Sequence, residues 1–171
     1  YFTFMLNAEV GVANGLRGRP LPFFKNYYAG GVSSVRGYDT SSLGPRDENS
    51  NFLGGKQRIV GNAELLFPIP GLTKEKSVRG SLFFDLGRIK GDGRQSSTTP
   101  ASTDPSASKD DTATTTVATS NANYESFRYS AGIAVAWQSP MGPLKFSFAY
   151  PIARKEGDKI QRFQFQFGKI F

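Results

Sequence analysis

The sequence runs to 171 residues and carries 21 Lys and Arg against 14 Asp and Glu, a formal charge of +7, with 38% of its residues hydrophobic. That is a poor supply for a conventional soluble core, yet 15 Phe, 7 Tyr and 1 Trp are too many aromatics for a disordered chain. With 0 Cys and 0 His, the chain builds no disulfide framework, thiol nucleophile, Cys/His zinc site or Ser-His-Asp triad.

The chain opens Tyr1-Phe2-Thr3-Phe4-Met5-Leu6 with no basic n-region and no small-residue cleavage site. We read this start as a cut inside a longer protein. Residues 2–12 then alternate. Phe2, Phe4, Leu6, Ala8, Val10 and Val12 share one face of a strand, and Thr3, Met5, Asn7, Glu9 and Gly11 share the other. A long connection follows over 14–58. Residues 61–69 set Ala63, Leu65, Phe67 and Ile69 opposite Asn62, Glu64, Leu66 and Pro68. After a short Pro/Gly link at 68–77, residues 78–87 set Val78, Leu82, Phe84 and Leu86 opposite Arg79, Ser81, Phe83 and Asp85.

The stretch 91–123 is low in complexity, rich in Ser, Thr, Ala and Asp, and has no aromatic residue to bury, so it is expected to be a mobile loop. Residues 126–137 alternate again, with Phe127, Tyr129, Ala131, Ile133, Val135 and Trp137 opposite Ser126, Arg128, Ser130, Gly132, Ala134 and Ala136. A Pro/Gly turn at 138–142 leads into 142–152, where Leu144, Phe146, Phe148 and Tyr150 alternate with Lys145, Ser147 and Ala149. The last strand is expected over 159–171, a ladder of Phe163, Phe165 and Phe167 backed by Gln164, Gln166 and Gly168 and ending at Phe171.

This predicts an all-β chain of about six antiparallel strands, most of a length that crosses a bilayer at a tilt. Short turns fall on one rim and long loops on the other, the pattern of an outer-membrane barrel. A soluble β-sandwich alternates as well, but its outer face needs charge. Here the apolar face is strongly aromatic, and the opposite face carries Gly, Ala, Ser and Gln, which suits a barrel lumen. Lipid then stands in for the missing core. No stretch supplies the apolar length that a membrane helix needs. Basic charge alone suggests nucleic acid or an anionic membrane surface, and the strand pattern favours the membrane.

Three local features stand out. Val35-Arg36-Gly37-Tyr38 lies inside the 14–58 connection, preceded by Tyr28-Ala29-Gly30-Gly31. An arginine bracketed by Gly and aromatics suggests a tightly turned segment packed against something. Asp85, in Phe83-Phe84-Asp85-Leu86-Gly87, falls on the inward face of a strand, where a carboxylate needs a partner such as a bidentate Arg. The third feature is the terminal aromatic strand.

At these residues the chain resembles the BamA family of outer-membrane β-barrel assembly proteins. Also similar to it are Phe23, Ser130-Ala131-Gly132-Ile133 and Ser139-Pro140-Met141-Gly142-Pro143-Leu144, in matching order and spacing over essentially the whole chain. The resemblance implies the last six strands of a sixteen-stranded transmembrane barrel in the bacterial outer membrane, preceded in the parent protein by periplasmic POTRA domains. It implies that 14–58 is an extracellular loop folding into the lumen and that 91–123 is a second extracellular loop. It makes Arg36 the loop arginine and Asp85 its partner. The family's second acidic position falls at Leu66, and Glu64, on the same face, is the candidate in its place. The last strand is implied to form a weakly closed seam, a lateral gate where client strands enter the membrane. The implied partners are outer-membrane lipid, unfolded β-barrel clients and, through the N-terminal domains, accessory lipoproteins. No nucleic acid, cofactor, metal or enzymatic chemistry is expected, and the isolated segment is expected to self-associate through its open edges. A TamA-like insertase or a two-partner secretion transporter of the same superfamily, or a passive porin or adhesin barrel, are the alternatives.

Overall fold

Period-two alternation becomes a single meandering sheet. The computed structural model describes residues 2–16, 21–46, 50–69, 77–91 and 125–168. Strands β1 (Thr3–Val12), β3 (Gln57–Pro68), β4 (Val78–Lys90), β5 (Arg128–Ser139), β6 (Gly142–Pro151) and β8 (Phe163–Phe167) form an antiparallel sheet in that order. Two short strands, β2 (Gly37–Tyr38) and β7 (Ile160–Gln161), pair with each other. A one-turn 3-10 helix spans Phe23–Lys25. Strands that follow one another along the chain pair antiparallel throughout the large sheet, across the long connections between β1 and β3 and between β4 and β5 as well as the short ones. The β5–β6 turn is tight because Gly142 takes φ +132°. There the Ser139 hydroxyl donates to Gly142 O at 2.7 Å and accepts from the Met141 N–H at 3.3 Å.

Burial on the two faces is inverted relative to a soluble protein. Leu6, Phe4, Ile133, Trp137, Phe148 and Phe165 on the apolar face are exposed, whereas Asp85, Ser130, Arg128 and Gln164 on the other face are buried. A ring or branched side chain of this kind gains about 1.5–3 kcal/mol on full burial in an apolar medium, so this face fits hydrocarbon and not water. No helix among the described residues is long and apolar enough to cross a membrane. β1, β3, β4, β5 and β6 run 10, 12, 13, 12 and 10 residues, enough to cross as tilted strands.

The polar face is covered by the described part of the 14–58 connection. Ala29, Val35, Tyr38 and Leu43 from that segment pack with Val60 of β3 and Ile89 of β4 in a small core. Isolated bridges Tyr27↔Gly55, Ala29↔Leu43 and Arg46↔Phe52 fold the segment on itself. The segment fits closely enough that a Cβ added at Gly87 would collide with Val35 Cγ2.

The last strand departs from the sequence expectation of one ladder over 159–171. Its start, β7, leaves the sheet to pair with β2, and only β8 continues against β6. The reason lies in β6. Ala149 N–H donates to Arg162 O at 2.8 Å, and extending the β6–β8 register would set Pro151 opposite Ile160. Proline has no N–H to give there, so the rung is missing and the chain turns inward. Phe171, the 91–123 stretch beyond Gly91 and most of the 68–77 turn lie outside the described residues.

Candidate functional site

Four charged side chains from four elements meet under the covering segment. Gly30, Gly31 and Gly37 take φ of +112°, +88° and +91°, so the backbone around Val35-Arg36 turns back sharply. This aims Arg36 at the inward faces of β3 and β4. Its Nε donates to Asp85 Oδ2 at 2.7 Å and its Nη2 to Asp85 Oδ1 at 2.8 Å, a two-pronged fork. Its backbone N–H adds a bond to Asp85 Oδ2 at 3.0 Å. Arg36 Nη1 reaches Glu64 Oε2 at 2.9 Å. The guanidinium carbon sits 3.6 Å from the centroid of the Phe83 ring, a cation–π contact strengthened by exclusion of water.

The alternation that places Asp85 inward also places Phe83, two residues earlier, beneath the same guanidinium. Asn62, opposite Asp85 in the β3–β4 register, donates from Nδ2 to Asp85 Oδ1 at 3.0 Å and to Ser34 O at 2.6 Å. Lys145 of β6 donates from Nζ to Glu64 Oε1 and Oε2 at 2.7 and 2.9 Å. Two cations therefore face two carboxylates in a buried, charge-balanced group. Burial alone would lower the pKa of Arg36, but Asp85 and then Glu64 outweigh it and raise the pKa above its ordinary value.

Tyr38 is fully buried. Its hydroxyl donates towards Ala153 O at 3.1 Å and Tyr129 O at 3.3 Å, and its carbonyl accepts from Gln164 Nε2 at 2.8 Å. Burial, with a smaller push from Asp158 and opposed by Arg128, raises its phenol to about 12. Gly37 lies between them, where its φ of +91° strains any side chain and a Cβ would press on Ala149 Cβ at 3.0 Å.

A second cluster lies beside the first. Asp158, on the β6–β7 connection, accepts from Arg128 Nε at 2.7 Å and Nη2 at 3.3 Å, and from Arg46 Nη2 at 3.5 Å. The Lys155 N–H adds 2.9 Å to the same carboxylate, and Arg46 also donates to Gly157 O.

Val35, Arg36, Gly37, Tyr38, Asp85 and Glu64 are thus brought into one place. Phe163, Phe165 and Phe167 lie apart from them, exposed on the apolar face. Sequence reasoning missed Lys145, Asn62, Arg46 and Asp158. Lys145 and Arg128 carried a signal, since each interrupts a run of small polar residues on an inward face.

A family model described as the Omp85 superfamily domain matches residues 1–171. The chain is 44% identical over 179 residues to the outer membrane protein assembly factor BamA of Neisseria meningitidis serogroup B, covering 99% of this chain and 22% of that protein. It is 29% identical over 158 residues to the outer membrane protein assembly factor BamA of Nitratidesulfovibrio vulgaris, covering 88% of this chain and 16% of that protein. The crystal structure of BamA from Haemophilus ducreyi lacking POTRA domains 1–3 matches with a TM-score of 0.74 at 30% identity, over 96% of this chain and 30% of that one. The chain spans less than a third of the length of each of these relatives.

Proposed function

Because the chain belongs to the Omp85 superfamily and forms part of an outer-membrane β-barrel, we propose that the intact protein folds other β-barrel proteins into the bacterial outer membrane. The observation that carries this reading is the likeness, along 99% of the chain, to a protein named as an outer membrane protein assembly factor. The work is physical and involves no covalent step. A strand entering hydrocarbon must already have its N–H and C=O groups satisfied, each unsatisfied group costing several kcal/mol. A barrel seam at the last strand offers an edge on which a client strand makes those bonds before it meets lipid.

In this reading the 14–58 segment is an extracellular loop held in the lumen by Arg36, with Asp85 and Glu64 as its anchors. Phe163, Phe165 and Phe167 hold the seam strand at the level of the acyl chains. Unfolded barrel clients and lipid are the partners of this part of the protein. Accessory lipoproteins dock on domains outside this chain. The composition of the 91–123 stretch fits a second external loop.

The test is complementation. In cells depleted of their resident assembly factor, the intact protein restores the level of heat-modifiable outer-membrane barrels. Arg36→Ala, present at the same level in the outer membrane, restores it poorly. Failure of the unsubstituted protein, although folded and correctly located, contradicts the proposal.

A further inference from the structure

The two edges of the last strand are used differently along its length. Residues two apart on a strand turn their backbone groups to the same edge. Arg162 O accepts from Ala149 N–H at 2.8 Å, and Gly168 N–H donates to Pro143 O at 2.9 Å. The even-numbered residues of β8 therefore face β6. Phe163, Phe165 and Phe167 turn their N–H and C=O groups to the opposite edge, where β8 has no neighbour among the described residues. The odd-numbered residues just upstream are not free. Lys159 O accepts from Asp39 N–H at 2.9 Å, and Gln161 stands opposite Gly37 in the β2–β7 ladder.

The inner segment thus occupies the first stretch of the edge that, further along, has no neighbour among the described residues. Besides the Arg36 anchor and the Tyr38 contacts, two features act on the last strand's side of this pairing. Pro151 withholds the donor that would keep Ile160 on β6. Asp158, the residue before this stretch, is 2% exposed in its side chain and is gripped by Arg128 of β5 and Arg46 of the inner segment. Asp158 bonds Arg128 and Arg46, and the Arg36 group anchors the inner segment separately.

We propose that residues 37–39 are a built-in cap on the seam edge of the last strand, latched by Asp158. An arriving extended polypeptide strand can bond the edge at Phe163, Phe165 and Phe167, and reaches Lys159 and Gln161 only by displacing 37–39. The cap keeps upstream backbone groups satisfied while the seam waits, and it links occupancy of the seam to the position of the inner segment. This deepens the proposed function and rests on it for the identity of the arriving strand.

Asp39 N–H donates to Lys159 O at 2.9 Å one step beyond the β2–β7 ladder, and continuing that register places their Cα atoms about 5.5 Å apart, which suits a disulfide. Asp39 is half-buried and Lys159 exposed, and neither belongs to the Arg36 group. The experiment uses the intact protein in liposomes, an Asp39→Cys/Lys159→Cys variant, and a photo-crosslinking residue at Gln161 or Phe165. The probe is an outer-membrane barrel precursor synthesised in vitro. In the oxidised variant, Phe165 crosslinks to the precursor, Gln161 crosslinks only within the protein, and most assembly is lost. Reduction returns both assembly and the Gln161–precursor crosslink. Asp158→Asn, without any disulfide, raises the Gln161–precursor crosslink.

Equal Gln161–precursor crosslinking in the oxidised and reduced states, with a complete disulfide, overturns the cap. So does undiminished assembly in the oxidised state. No rise with Asp158→Asn, in a variant that keeps its heat-modifiable mobility, removes Asp158 as the latch. If the unsubstituted protein assembles no precursor, the proposed function fails on its own. The cap is then still read without any precursor, from whether the Asp39→Cys/Lys159→Cys disulfide forms readily in the native protein; its failure to form overturns the cap.

Discussion

Removing one member of a buried, hydrogen-bonded ion group leaves its partners charged and dry, at a cost of about 3–5 kcal/mol. Arg36→Ala is expected to destabilise the barrel by that amount in denaturant titrations in lipid, because Asp85 loses both prongs of its fork and Glu64 loses its bond from Nη1, while the backbone N–H bond to Asp85 remains. Arg36→Lys recovers only part, since an ammonium cannot make the fork. Lys145→Met is milder, as Glu64 keeps Arg36 Nη1, and adding Glu64→Gln to it restores stability by removing the orphaned charge. Tyr38 gives a pH signature. Its phenol is raised from 10.0 to about 12, so its contribution is intact below pH 10.0 and is lost as pH rises towards 12, when the unfolded chain ionises first. Phenolate absorbance of the wild type against Tyr38→Phe checks this, with Tyr38→Phe showing no such loss. The loop arginine bracketed by glycines and the inward carboxylate were both visible in the sequence, and the structure sets them 2.7 Å apart. Lys145 was visible only as an inward residue. That it meets Glu64 depends on two strands separated by β4 and β5, and no local spacing encodes that.

The strands were legible because lipid and lumen impose opposite chemistry on alternate residues, so faces can be read off directly. The turn from β5 into β6 was equally plain from Pro140 and Gly142. The break in the last strand was not, because it depends on Pro151 falling opposite Ile160, and register is a property of two strands together. Pro151→Ala supplies the missing N–H. It is expected to draw Ile160 onto β6 and to lower hydrogen-exchange protection at Asp39, whose N–H now bonds Lys159 O. Unchanged protection there means that the proline does not set the fork. For the low-complexity stretch, which lies outside the described residues, composition alone makes the prediction. Deleting residues 96–122 leaves heat-modifiable migration intact, because nothing in that stretch can be buried.

At the scale of the molecule, the exposed aromatic face and the buried ionic face make sense only with hydrocarbon outside and a filled lumen inside. The segment expressed alone therefore needs detergent, or pairs edge to edge through β1 and β8, which end the sheet. A monodisperse, detergent-free monomer in sedimentation contradicts this. The central claim is that the barrel accelerates the membrane insertion of other barrels while Arg36 holds the inner segment. Its most direct test is the folding rate of a urea-denatured barrel precursor added to liposomes that contain the intact protein. The account predicts faster folding than in protein-free liposomes, with the gain largely lost for Arg36→Ala at equal incorporation. Equal rates with and without the unsubstituted protein would contradict it.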